Sequence, residues 1–309
     1  MSTTRPRKNG VLAVVVTHHP DIPATCGLIE TLALQVDTVV VVDNDSPAAA
    51  VASLREALCA CGGELIALPE NVGVAAAQNL GFDRARESGA THVLLSDQDS
   101  LPAPDMVEQL VGGLERLTAA GRRVAAVGPL ITDDRDPDAP LLFTPGHWRA
   151  HQTAAPADVD ALIPAAFLLA SGSLIPVEAL TIVGGKQADW FIDWLDLEWG
   201  LRAQRAGFEL VAVNAARLQH RMGERVVRVR GRARRVHLHT VDRNYYVVRN
   251  LVLLVRSGLL PWRWRIGYAA WLVRYILFYT LAEPPRRQRA RRLLSGLTDG
   301  VRGRTVSRR

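Results

Sequence analysis

The sequence predicts an α/β protein with a mainly parallel central sheet. Val11–Thr17 and Thr38–Val42 are continuous apolar, β-branched runs, as suits strands buried on both faces. Helical stretches recur between such runs at short spacing, the signature of strand–helix–strand units. The segments that end the runs are polar, and in open α/β sheets ligands gather outside the carboxyl ends of the strands.

Taken in order, Val11–Thr17 is the first strand, and Ile22–Leu34 is a helix entered through Pro20 and Pro23. Thr38–Val42 is the second strand and ends in the turn-forming cluster Asp43-Asn44-Asp45-Ser46-Pro47. Ala48–Cys61 is helical, Glu64–Leu68 a strand, and Ala75–Ser88 an Ala-rich helix. Thr91–Leu95 is a fourth strand, Met106–Ala120 a helix, and Val124–Val127 a fifth strand. Thr132–Pro140 is a loop, and residues 144–161 show no period. Phe167–Pro176 is apolar around Ser171-Gly172-Ser173, Trp190–Ala206 reads as a helix, and Phe208–Val213 as a strand. Arg225–Arg235 is basic with interleaved valines, and residues 240–256 and 262–282 are apolar helical stretches.

With 309 residues, 48% of them apolar, the chain can bury a large core. Its three cysteines, Cys26, Cys59 and Cys61, make neither a disulfide framework nor a zinc site, which fits a reducing, cytoplasmic setting. The apolar stretch behind Arg5, Arg7 and Lys8 is short and ends in Thr-His-His-Pro, so it reads as a core strand and not as a signal peptide. Charge is unevenly divided. Residues 1–220 carry a net −12 and residues 221–309 a net +18, so an anionic partner is expected for the tail.

The most informative motif is Asp97-Gln98-Asp99-Ser100 at the end of the fourth strand. Side chains alternate along a strand, so carboxylates two residues apart converge only if the strand stops between them. Pro102 and Pro104 predict that stop. Paired acids there suit a hard divalent cation, Mg²⁺ or Mn²⁺, able to hold a diphosphate. A dinucleotide-binding domain would instead carry Gly-x-Gly-x-x-Gly after the first strand, where this chain has Thr17-His18-His19-Pro20. Asn71-Val72-Gly73 opens a helix whose free N–H groups face an anion, with Asn79 and Gly81 further along it and alanines suited to packing on the sheet. A second cluster, residues 189–199, holds four acids and three tryptophans. On a helix Asp193 and Asp196 share a face, and Glu198 pairs with Arg202. Asp196 is a candidate general base. Trp190, Trp194 and Trp199 either stack on a sugar or fill the core. His220, after the last strand, is a solvated or structural histidine or else a neutral imidazole ligand beside the Asp pair.

In this order, these residues resemble the family-2 glycosyltransferases of the GT-A fold, and specifically the bacterial rhamnosyltransferase branch. The resemblance covers roughly residues 10–255. It rests on Asp97-Gln98-Asp99-Ser100 together with Phe191-Ile192-Asp193-x-x-Asp196-x-Glu198-Trp199. Supporting matches are Val42-Asp43-Asn44, Ser171-Gly172-Ser173, His220-x-x-Gly223 and Arg243-Asn244 through Arg249-Asn250. It implies a nucleotide-diphospho-sugar transferase sheet flanked by helices and a dTDP-L-rhamnose donor. Transfer would invert the sugar and pass it to a glycan or polyprenyl-linked acceptor in cell-surface polysaccharide synthesis. Asp97, Asp99 and His220 would surround the metal and diphosphate, and Asp196 would be the base. Thr17, Asp43, Asn71, Gly73 and Asn79 would line the donor nucleotide. Asp193, Trp194, Ser171 and Gly172 would contact acceptor or sugar. Two departures stand out: His18-His19 where an aromatic-Asn pair is common, and Asp45 where the turn usually has glycine. A UDP-hexose or UDP-galactofuranose donor is the nearest alternative, and a non-catalytic sugar-nucleotide-binding or membrane scaffold protein the next.

Residues 1–235 are thus read as the catalytic domain and 236–309 as a basic, amphipathic helical extension. Ile266–Ala282, about 17 residues with Arg274 inside, is short of the roughly 20 a spanning helix needs. Its aromatics and arginines fit a helix lying on an anionic membrane surface, which would make the protein peripheral on the inner face of the cell membrane. Internal packing or a homo-oligomer contact is the competing expectation. No nucleic-acid recognition motif accompanies the charge.

Overall fold

The computed structural model of the chain describes residues 10–133, 140–220, 225–228 and 235–305. Its first part winds as expected through β1 (Val11–Thr17), α1 (Ile22–Ala33), β2 (Thr38–Asn44), α2 (Ala48–Cys61), β3 (Glu64–Leu68), α3 (Val74–Ser88) and β4 (His92–Asp97). All seven residues of β1 are buried, as its unbroken β-branched run requires. Asp21 caps α1 by accepting the Ala24 N–H. α3 lies so close to β1 that a Cβ at Gly81 would stand 2.3 Å from a Val14 methyl.

The chain continues through β5 (Ser100–Pro102), α4 (Met106–Ala119), β6 (Val124–Thr132), β7 (Leu142–Thr144), β8 (His151–Thr153), β9 (Leu162–Pro164), β10 (Leu174–Pro176) and α5 (Val177–Val183). A 3₁₀ turn at Ala188–Trp190 leads to α6 (Leu195–Arg205) and β11 (Glu209–His220). β12 (Arg225–Arg228) and β13 (Arg235–Leu238) form a separate antiparallel pair. α7 (Val241–Arg256), α8 (Trp262–Leu281) and α9 (Arg286–Arg302) follow.

The main sheet has the order β3-β2-β1-β4-β10-β6-β11-β5, with β9 also on β11. β3, β2, β1 and β4 are parallel, as are β6 and β11, while β10, β9 and β5 run against their neighbours. Thr17 is level with Asp43, and Val16 with Asp97, so three strands open on one edge.

The helix expected over Trp190–Ala206 begins only at Leu195. Phe191, Asp193 and Trp194 have φ of 68°, 69° and 65°, a left-handed backbone that breaks the helix. Asp193 and Asp196 therefore do not share a helical face. The cause lies in α7. Arg249 donates to the carbonyls of Asp189 and Trp190, and Asn250 to those of Trp190, Ile192 and Asp193, so these groups point away from a helix ladder.

The extension is not a detached tail. Trp190, Leu195 and Leu197 share one core with Val248, Leu251 and Tyr268 of α7 and α8. Among the described residues no helix is long and apolar enough to cross a membrane. Gly223 of the His220 motif, and much of the basic stretch around residue 230, lie outside the described residues.

Candidate active site

The strand ends open into a cleft of about 740 Å³. One wall carries Thr17, His18, Asn44, Asn71 and Gly73. The floor is Asp97, Gln98, Asp99, Ser171 and His220, and the far wall is Phe191–Asp196.

The first wall is a hydrogen-bonded frame. Asn44 donates to Asn71 Oδ1 at 3.0 Å and accepts the Val72 N–H at 2.9 Å. Asn71 Oδ1 also takes the Gly73 N–H, and the two His18 ring nitrogens lie 2.7 Å from Asn44 O and 3.3 Å from Asn71 Nδ2. His18 thus fills its departure from the family pattern with a structural role. Asp45 adopts φ 73°, the conformation glycine would supply there and one that Asp tolerates better than most residues. Asp43, expected at the nucleotide, is fully buried below the cleft. Its carboxylate accepts from Thr17 Oγ1 at 2.7 Å and from the Ser46 N–H at 3.0 Å. Gly73, with φ 85°, lets the chain pass Phe191, whose ring would stand 2.6 Å from an added Cβ.

On the floor, β4 stops at Asp97 and the chain turns through Gln98-Asp99 before β5 starts at Ser100. β5 pairs back on β11 with Ser100 opposite His220, which carries the histidine to the acids across 120 residues of sequence. His220 Nε2 is 3.8 Å from Asp97 Oδ2, and Nδ1 is 3.3 Å from both Asp99 Oδ1 and Ser100 Oγ. One ligand atom from each of Asp97, Asp99 and His220 lies within 4.8 Å of the others. Two carboxylates and an imidazole fit Mg²⁺ or Mn²⁺. The Asp97 carboxyl is pushed up to about 6, first by loss of surrounding water and then by Asp99 and Asp196, against the pull of His220 and Lys186. Ser171 braces the floor: its Oγ accepts the Asp97 N–H at 3.2 Å and lies 2.5 Å from Ser100 Oγ. Gly172 does not line the cleft; its φ of 81° packs the turn against Pro129.

Asp196 stands in the first turn of α6. Its Oδ2 accepts the Ala170 N–H at 3.0 Å and its Oδ1 the Lys186 ammonium at 2.8 Å. Lys186 sits behind it, its backbone N–H and C=O both bonded to the Asn79 side chain. Asn79, expected at the nucleotide, therefore holds the lysine loop and does not line the cleft. Asp193 and Trp194 line the far wall but are tied to α7. Arg243 donates to both Asp193 oxygens, and Trp194 Nε1 donates to Val247 O. Trp190 and Trp199 are core residues, and Glu198 pairs with Arg202 as its spacing requires.

Sequence reasoning missed Lys186, His239 and Thr240, and it gave Arg243 a place in a motif but none in the site; His239, Thr240 and Arg243 bring the extension into the cleft. Lys186 left one signal: apart from Lys8 it is the only lysine in an arginine-rich chain.

Residues 13–153 match the profile of glycosyl transferase family 2. Over those residues the chain is similar to the family 2 glycosyl transferases. The chain is 26% identical over 300 residues to the dTDP-rhamnosyl transferase RfbF of Shigella flexneri, with 96% of each chain covered. Its fold is similar to that of S. aureus TarS 1-349 in complex with UDP-GlcNAc, with a TM-score of 0.58 at 12% identity over 96% of this chain and 81% of that one. GalNAc-T7 with UDP, GalNAc and Mn²⁺ gives a TM-score of 0.57 at 12% identity; 94% of this chain is matched, to 56% of that one. Its mostly parallel sheet and helical extension are GT-A-like.

Proposed function

We propose that the protein transfers L-rhamnose from dTDP-L-rhamnose, with inversion, to a hydroxyl of a glycan or lipid-linked acceptor in cell-surface polysaccharide synthesis. One observation carries this reading. Asp97, Asp99 and His220 share a single cleft with Asp196, in a chain related along nearly its whole length to a dTDP-rhamnosyl transferase.

Asp97, Asp99 and His220 would hold Mg²⁺ or Mn²⁺, which when bound offsets the charge of the leaving diphosphate as a Lewis acid does. The first wall, with Thr17, Asn71 and Gly73, would seat the nucleotide, with Asp43 bracing Thr17 from below. Asp196 accepts the proton of the acceptor hydroxyl. The acceptor oxygen bonds to the anomeric carbon from the face opposite the diphosphate, and the carbon–oxygen bond to the diphosphate breaks with its electron pair. One substitution with backside attack inverts the configuration. The carboxylate has lone pairs to spare for this, because Lys186 and Ala170 occupy one site on each oxygen. Holding both substrates in one cleft supplies much of the remaining acceleration.

Calorimetric titration with dTDP-L-rhamnose, UDP-glucose and UDP-galactofuranose, with and without Mg²⁺, tests the donor. Metal-dependent binding of dTDP-L-rhamnose alone is the expected result. Preference for a UDP-sugar discards the rhamnosyl assignment, and no binding to any of the three discards these donors and points to another donor or to a non-catalytic scaffold.

A further inference from the structure

Helix α8 is apolar on two faces, and only one of them has a partner in the protein. Trp264, Tyr268, Leu272, Tyr275 and Tyr279 are buried in the core shared with α6 and α7. Trp262, Ile266, Val273, Leu277 and Leu281 are 63%, 52%, 58%, 51% and 67% exposed. Their steps of four, seven, four and four residues align them along one side of the helix, a line of about 30 Å. Trp148, 48% exposed on a separate loop, meets Trp262 edge-on and extends the line. Among the described residues no other helix or strand carries more than two large exposed apolar side chains; α9, with Leu294 and Val301, carries two.

The surroundings of this line are cationic. Arg263, Arg265 and Arg274 are exposed on α8 itself, and Arg286, Arg287 and Arg291 on α9, which packs on α8. The acids of residues 257–305 are Glu283 and Asp299; each is 19% exposed and paired with an arginine. A second copy of the chain is a poor occupant. Pairing the line with itself would bring two arginine rims together, and no other extended apolar strip is present among the described residues to receive it. A surface that is apolar at depth and anionic above meets both needs.

We propose that this face of α8, with Trp148, lies in the headgroup layer of an anionic lipid bilayer. The apolar line enters the acyl boundary, and the arginines reach back to the lipid phosphates along their aliphatic stems. The buried tyrosine face and the three arginines on α8 keep the helix on the surface, in accord with the lack of a spanning helix among the described residues. Trp194, in the far wall of the cleft, packs edge-on against Tyr268 and Trp271 of the same helix, so the cleft opens one aromatic layer away from the bilayer. The inference does not depend on the donor.

The test is co-sedimentation of the full chain with phosphatidylcholine vesicles and with vesicles containing about one-third phosphatidylglycerol. The protein is expected to sediment with the anionic vesicles only and to be released by salt. The Ile266→Glu/Val273→Glu/Leu277→Glu variant should bind at least about tenfold more weakly, while remaining folded by circular dichroism, because all three side chains are already more than half exposed. Equal partition of the wild type to both vesicles, or undiminished binding by a folded variant, overturns the proposal. So does a wild-type dimer in light scattering that the variant dissolves, in the absence of vesicle binding.

Discussion

The Lys186 ammonium lies 2.8 Å from Asp196 Oδ1, with the lysine side chain 3% and the aspartate 23% exposed. The lysine is sealed behind α6 while the carboxylate faces the cleft, so the pair fixes where Asp196 points. Lys186→Met should lower kcat about 10²-fold and leave the donor KM within about twofold, because the lysine does not line the cleft. Asp196→Asn leaves a buried ammonium facing an amide, which should cost about 3 kcal/mol of stability. The double variant should recover part of that loss, since the unpaired charge is gone. Urea denaturation and steady-state kinetics of the three variants check this. A kcat for Lys186→Met equal to wild type would show that the pair is only structural.

In the proposed site Asp97 would bind the metal as a carboxylate, and its carboxyl is raised to about 6. Protons therefore compete with the metal across a range where an ordinary aspartate would already be ionised. Mn²⁺ affinity, followed by electron paramagnetic resonance, should rise by at least about tenfold per pH unit below about pH 6. Asp99→Ala should weaken binding at every pH. Affinity that stays constant from about pH 5 to 8 would remove Asp97 from the ligand set.

Arg249 is fully buried, and its guanidinium donates to three carbonyls, those of Asp189, Trp190 and Thr305. It ties the cleft wall to Thr305, just beyond α9. Arg249→Met should destabilise the protein by about 3 kcal/mol through the carbonyls left unpaired. Arg249→Lys should not rescue it, because an ammonium cannot reproduce the planar fork. Chemical denaturation of both variants gives the answer. Full stability of Arg249→Lys would contradict this account of the wall.

Much of the frame was legible because it rests on local pattern. The valine runs of β1 and β2 and the Pro-bounded Asp97–Asp99 turn state their structure in adjacent residues. Short antiparallel strands such as β5 and β10 were not legible, since three residues carry no period. Nor was the break before α6. Residues 190–205 have helical spacing, and the left-handed Phe191, Asp193 and Trp194 are imposed by Arg249 and Asn250 from more than fifty residues away. The pairing of Arg249 with Asn250 was visible, but its task was not. Asn79 and Asp43 were read by their positions in motifs. In the fold, Asn79 holds the lysine loop and Asp43 braces Thr17. Lys186 was missed because a lone lysine in a Gly-Gly loop gives no hint that Asp196 will lie on top of it.

The most direct test of the central claim is turnover of dTDP-L-rhamnose by wild type and Asp196→Asn, in the presence of an acceptor, beside donor binding by both. Turnover should fall by about 10²–10⁴-fold while the variant binds donor and metal as tightly as wild type. An Asp196→Asn enzyme that turns over at the wild-type rate would show that Asp196 is not the base.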